Sequence, residues 1–322
     1  VVLGMVGMWM MTALIIKFVL NFNWIYCFLL GAILTPTDPV ISSSIISGSA
    51  ARETLPARIR QMISFESGAN DGMAMIMVLL PLFLINVSDR SIQKWALQVV
   101  VIENIAGIVA GLLMGGFIGK MVHNAHEKNL MTSKSLLASA LFMALFVLSL
   151  AELLGVNAII TVFAAAIVYG VSVNKGEELR QERVQDVLER VFVLPVFVMF
   201  GMILPVEDWI EAGWQYVILA LVILLLRRIP VFLALKPALG KYRKRTRDVL
   251  FMGWFGPVGV AAMFYAFYVE KKLTAFSDDI WPVVSFIIFT SVVIHGFTAY
   301  PVAKLYAFIN EEYDDFNLPD EM

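Results

Sequence analysis

Long apolar runs separated by short polar connectors repeat from one end of the chain to the other. Ten runs are long enough to cross, or nearly cross, a hydrocarbon layer of about 30 Å as helices. They lie near 1–20, 24–50, 58–86, 94–122, 134–153, 157–173, 188–205, 212–236, 247–270 and 280–310. The connectors are polar, as in "NVSDRSIQKW" and "GKYRKRTRD". The pattern predicts an all-α polytopic membrane protein of about ten spans in a single transmembrane domain over 1–322.

Composition agrees. Of the 322 residues, 60% are hydrophobic and only 16% are charged, whereas soluble domains carry roughly a quarter charged residues. That apolar excess needs an apolar solvent outside the protein. Net charge is −2, which gives no reason to expect a nucleic-acid partner. The single cysteine, Cys27, can form no internal disulfide. The opening "VVLGMVGMWM" has neither an initiator Met nor a basic leader region, and reads as a chain starting inside a helix rather than a signal peptide.

If the spans alternate in direction, the connectors divide sharply by charge. Those at 51–62, 120–134, 174–190 and 236–247 hold sixteen Lys and Arg, and those on the other side hold four. Basic connectors stay in the cytoplasm, so the first span runs outward and the C-terminal tail is cytoplasmic. The charged stretch "GEELRQERVQDVLERV" covers most of 174–190 and reads as an amphipathic helix on the cytoplasmic surface.

Two runs are interrupted. "TPTDPV" (35–40) places prolines on both sides of Asp38, and "GWFGPVGVA" (253–261) gathers three glycines and a proline. Continuous helix is excluded through the first and improbable through the second. By helical rise, Asp38 lies roughly 18 Å and Pro257 roughly 15 Å from the cytoplasmic edge, near mid-depth. The two runs point in opposite directions. Spans one to three are therefore echoed, inverted, by spans eight to ten. The expected fold is an inverted repeat whose two discontinuous helices cross at the binding site.

Polar groups gather at the same depth. "ISFESGANDGMAM" (63–75) holds Glu66, Ser67, Asn70 and Asp71 in an otherwise apolar run. Ser67, Asn70 and Asp71 are three and four residues apart and share a helical face. With Asp38 they offer an oxygen-rich shell suited to a hard monovalent cation. No His or Cys accompanies them, which disfavours a transition metal. Glu66 lies roughly 13 Å from the cytoplasmic edge and Arg228, in "LLLRRIPVF", roughly 12 Å. Buried charges need partners, so a structural Glu66–Arg228 ion pair is expected, with Arg227 as the alternative base. Asp38 precedes a half-helix (39–50) whose N-terminal dipole supports its negative charge. Asp71 has no such support, and both burial and a neighbouring carboxylate oppose its charge. It is the group that can trade a proton for a cation.

"TPTDPV", "PARIRQMISFESGANDG", "RRIPV" and "GWFGPVGVAAMF" together resemble the sodium/proton exchanger branch of the cation–proton antiporter superfamily. The likeness is closest to fungal-type alkali-cation/proton antiporters and their bacterial relatives, and spans about 25–310. The resemblance implies that Asp71 is the ion- and proton-binding carboxylate. It implies that Ser67, Asp38 and the backbone of Thr37 help to build the cation site, and that Asn70 marks the electroneutral branch. Glu66 and Arg228 match the family's structural salt bridge. The function implied is exchange of Na+, Li+ or K+ for H+ by an elevator-like movement, in a homodimer of the plasma or bacterial inner membrane. Elements 24–86 and 247–310 would form the ion-binding core, and 1–23 and 212–236 the repeat-start, dimer-side helices. Many relatives carry an Arg where Val258 stands, and most have two or three further N-terminal spans.

Other features carry less. Glu103 fits a proton path or a hydrogen-bonded structural role. Glu152 and Lys17 lie near the outer ends of their spans and should snorkel. His295 reads as a neutral core histidine, and His123 with His126 is too small a set for a metal site. The glycine-rich 105–119 indicates close helix packing, not a phosphate loop, and no cofactor is expected. An enzyme reading, as an intramembrane aspartyl protease, lacks its Tyr-Asp and Gly-x-Gly-Asp signatures. A cation channel or a transport-inactive sensor on the same fold are the remaining alternatives.

Overall fold

A computed structural model describes residues 1–38, 40–41, 51, 53–85, 91–128, 130–172, 191–240, 245–273 and 277–311. Regular structure among these residues is helical throughout. The helices are α1 (Val2–Leu20), α2 (Trp24–Ile33), α3 (Ala57–Ile85), α4 (Ser91–Lys94), a π-helical segment (Trp95–Ile105), α5 (Ala106–Glu127), α6 (Ser133–Leu154) and α7 (Ala158–Ser172). There follow α8 (Val191–Met202), α9 (Val206–Ala212), α10 (Trp214–Leu226), α11 (Ile229–Leu235), α12 (Thr246–Trp254), α13 (Val260–Lys272) and α14 (Ser277–Glu311).

Five of these rods are long and apolar enough to cross a membrane: α1, α3, Ile92–Glu127, Trp214–Ala238 and Asp279–Ile309. The pair α8 and α9, bent by 61°, makes a sixth if counted as one span. The difference from ten apolar runs has a simple cause. Among the described residues, Trp24–Ile33, Ala138–Leu154 and Ala158–Ser172 are short apolar helices, and the run 247–270 is split into Thr246–Trp254 and Val260–Lys272, each too short to cross alone. The amphipathic segment expected over 174–190, and residues 42–50 of the half-helix expected after Asp38, lie outside the described residues.

The chain forms two compact units, Val1–Asn70 with Val193–Met322, and Asp71–Phe192. In the first, helix ends follow local chemistry. α1 stops at Asn21, which takes the left-handed conformation (φ 54°) and donates its N–H to Lys17 O. Lys17 is anchored there by Asn21 Oδ1 and Phe22 O, each at 3.0 Å. Asn23 then caps α2, accepting the Ile25 N–H at 3.1 Å. α2 ends where Pro36 forbids further helix. A clasp gathers three helix ends: Asp248, in the first turn of α12, accepts from Tyr306 of α14 (2.7 Å) and pairs with Arg58 of α3 (3.4 Å).

The second unit is held by small residues. Gly107, Gly111, Gly115 and Gly119 form a buried stripe on α5. A Cβ on Gly111 would strike the Thr161 carbonyl, and one on Gly115 the Ala165 carbonyl. Backbone touches backbone along this seam with α7, the close packing that small-residue spacing allows in membranes. Gly111→Leu or Gly115→Leu should therefore destabilise by about 1–3 kcal/mol. Gly170→Leu, with nothing within 4 Å of its Cβ position, should stay within about 0.5 kcal/mol of the parent. Melting curves in detergent measure all three.

Candidate ion-binding site

The two interrupted helices meet inside the first unit. The Asp38 N–H donates to Pro257 O at 2.8 Å, so each break satisfies part of the other. The Asp38 carboxylate, 3% exposed, takes two further backbone donors. Oδ1 accepts from Val40 N and Oδ2 from Val260 N, both at 2.8 Å. Val260 is the first residue of α13. Asp38 therefore supports its negative charge on the N-terminus of the opposite broken helix, in addition to the half-helix expected to follow it in sequence.

The polar shell continues onto α3. Thr37 N donates to Asn70 Oδ1 (3.1 Å), Asn70 Nδ2 donates to Thr37 Oγ1 (2.7 Å), and Thr37 Oγ1 lies 3.1 Å from Ser67 Oγ. Thr37, Asp38, Ser67 and Asn70 are thus brought together, all buried. Asp71 is the next residue of the continuous helix α3. It belongs to the second compact unit.

Glu66 and Arg228 form a bidentate ion pair. Arg228 Nη1 donates to Glu66 Oε1 at 2.7 Å and Nη2 binds Oε2, with the two residues 2% and 4% exposed. The remaining donor, Nε, reaches Met252 O at 2.9 Å, and the guanidinium lies 4.5 Å from the Phe232 ring centroid. Arg227 does not compete for Glu66. Its guanidinium, 2% exposed, bonds Leu34 O and Gly256 O. Leu34 caps the C-terminal end of α2, and Gly256 lies just beyond α12. One cation therefore sits against the carbonyl ends of both half-helices, where dipoles favour positive charge. Position 258 carries no charge, yet the Arg227 guanidinium reaches the crossing from the end of α10. Val258 is buried, and its N–H donates to Ser291 Oγ at 2.8 Å.

Two glycines make these contacts possible. A Cβ on Gly259 would overlap the Asp38 carboxylate, and one on Gly256 would overlap the Arg228 side chain (2.6 Å from Nε). His295 lies beside the same break. Its Nδ1 faces Ser291 O at 2.9 Å and Ser291 Oγ at 3.2 Å, and its Nε2 faces Trp254 O at 3.0 Å. Ser291 and His295, one turn apart on α14, close the gap between Trp254 and Val258. Glu103 accepts from Gln98 at 3.3 Å. Among the described residues, no group of three or more His, Cys, Asp and Glu could hold a metal ion.

The roles of Arg227 and Ser291 were not visible in sequence. Adjacent arginines point about 100° apart on a helix, and only packing decides which one meets Glu66. The one usable signal was that an intramembrane Arg left over from an ion pair must find carbonyls.

A helical membrane protein with two broken helices crossing over buried, oppositely charged side chains belongs to the class of transporters, not enzymes. The sequence profile described as "Sodium/hydrogen exchanger, transmembrane" matches residues 1–305, and the chain belongs to that family. It is 30% identical over 318 residues to the Na(+)/H(+) antiporter 2 of Zygosaccharomyces rouxii, a match covering 89% of this chain and 39% of that protein. It is 26% identical over 314 residues to the K(+)/H(+) antiporter NhaP of Alkalimonas amylolytica, covering 94% and 51%. The fold matches the sodium proton antiporter MjNhaP1 from Methanocaldococcus jannaschii with a TM-score of 0.71 at 16% identity, over 95% of this chain and 76% of that one. The chain thus spans well under two thirds of the yeast protein's length.

Arg228→Met leaves Glu66 buried without its base, which should cost about 3–5 kcal/mol. The double replacement Glu66→Gln with Arg228→Met should recover part of that loss. Thermal unfolding of the three variants in detergent checks both expectations.

Proposed function

We propose that the protein is a secondary antiporter that exchanges an alkali cation (Na+, Li+ or K+) for H+. Asp71 carries the exchange, holding either the cation or a proton, with Thr37, Asp38, Ser67 and Asn70 supplying the surrounding oxygens. The observation that carries most weight is the crossing itself. Asp38 and Arg227 are already engaged by backbone groups of the two broken helices, so their charges are committed to the scaffold. Glu66 is committed to Arg228. Asp71 directly follows Asn70 on the continuous helix α3 and is, with Glu66, one of the two acids of the stretch 63–75.

Alternating access in an inverted-repeat fold moves this site between the two sides of the membrane. One cation is exchanged for one proton, because a single carboxylate changes its occupant. The ten apolar runs act as ten spans, and the basic connectors and C-terminal tail face the cytoplasm. The protein resides in the plasma or bacterial inner membrane and works as a homodimer, with 24–86 and 247–310 as the moving core. The curated relatives are named for Na+ in the yeast case and for K+ in the bacterial case. Both ions accept oxygen shells, so selectivity follows cavity size.

Purified protein in liposomes with a trapped pH dye tests the proposal. Addition of Na+, Li+ or K+ should move protons in the parent and fail to do so in Asp71→Asn. Undiminished cation-driven proton movement in Asp71→Asn would sink the mechanism. Clamping the membrane potential should leave the initial rate unchanged.

A further inference from the structure

The second compact unit contains a buried polar network that the exchange chemistry above does not use. Asn157 is the N-cap of α7, and its Oδ1 accepts the Ile160 N–H at 3.3 Å. Its Nδ2 reaches two acceptors, Gly72 O at 2.8 Å and Asn104 Oδ1 at 2.9 Å. Its backbone N–H donates to Glu103 O at 2.9 Å, and its carbonyl accepts from Thr161 Oγ1 at 2.7 Å. Asn104 is locked in turn, donating Nδ2 to Val99 O at 2.7 Å. Asn104 lies in the π-helical segment Trp95–Ile105, a rare conformation that frequently marks functional positions.

The target of this network is specific. Gly72 follows Asp71 directly on α3. Its carbonyl carries the Asn157 bond, and a Cβ there would lie 2.8 Å from both N and Cβ of Ile160. α3 is therefore pressed onto the start of α7 at the residue next to the exchanging carboxylate. α7 is itself immobilised by the glycine seam of α5.

We propose that Asn157, braced by Asn104, is a positioning residue for cation binding: its bond to the Gly72 carbonyl holds the Asp71 backbone at the height and rotation that the cation requires. This rests on Asp71 being the exchange site. A cation needs several oxygens at fixed distances, whereas a proton needs only the carboxylate. Loosening the clamp therefore weakens cation binding more than protonation. Groups that fix a ligating residue from behind commonly change metal affinity by about 10–100-fold.

Asn157→Ser separates the two roles of the residue. Serine keeps the N-cap acceptor but loses the donors to Gly72 and Asn104. In liposome exchange measured against cation concentration and pH, this variant should show an apparent KM raised by about tenfold. Its maximal rate should stay within about twofold, and its pH profile should move to more alkaline pH, because the cation competes less well with protons. Asn104→Ser removes only the brace and should raise KM in the same direction by a smaller factor. Unchanged KM and pH profile in both variants, with only a lower melting temperature or maximal rate, would overturn the positioning role. If Asn157→Ser does not fold, Asn104→Ser alone decides by the same criteria. Asp71→Asn, run alongside, separates the two levels. Exchange retained in that variant removes the assignment of Asp71 itself. Exchange lost there, with KM unchanged in the asparagine variants, removes only the clamp.

Discussion

A helix interrupted in apolar surroundings leaves N–H and C=O groups that water cannot reach, and each unsatisfied group costs several kcal/mol. The crossing in this protein answers that constraint twice over. Where the two breaks meet, one supplies a carbonyl (Pro257) to the other's N–H (Asp38). Four further groups are met by one anion and one cation. Asp38 collects the N–H groups of Val40 and Val260, and Arg227 collects the carbonyls of Leu34 and Gly256. Charges that would be prohibitive alone are here the ligands of broken backbone.

The chemistry follows from that arrangement. Asp38 is bound to the scaffold through both carboxylate oxygens. Glu66 is fixed by a two-pronged bond to Arg228. The proposed exchange needs an acid together with oxygens that can replace an ion's water. Thr37, Ser67 and Asn70 are tied to one another within 3.1 Å, and the helix that presents two of them carries Asp71 as its next residue. The glycines at 256 and 259 belong to the same design, since a side chain on either would overlap Arg228 or Asp38.

Much of this was legible in the chain. Prolines beside Asp38 exclude continuous helix and glycines around Pro257 make it improbable, on backbone grounds alone, and helical rise puts both breaks near mid-depth. Rise also matched Glu66 to Arg228, which the structure joins. Rotation was harder. Arg227 and Arg228 are neighbours in sequence, and which one faces Glu66 depends on how α10 packs. The Asn157–Asn104–Gly72 network was invisible, because residues 53 and 85 positions apart leave no periodic trace. The span count stayed ambiguous for a physical reason: broken spans consist of short helices, so length fails as a criterion where function is concentrated.

The proposed mechanism rests on competition between a cation and a proton for one carboxylate, and that competition can be read without transport. The direct measurement is proton release on cation binding to the purified protein in weakly buffered detergent solution, followed with a pH electrode over a range of starting pH. A single exchanging carboxylate should release about one proton per cation bound where it is initially protonated, with apparent affinity falling as the solution is acidified. Asp71→Asn should release none. Saturable cation binding with no proton release, or with affinity independent of pH, would contradict the mechanism.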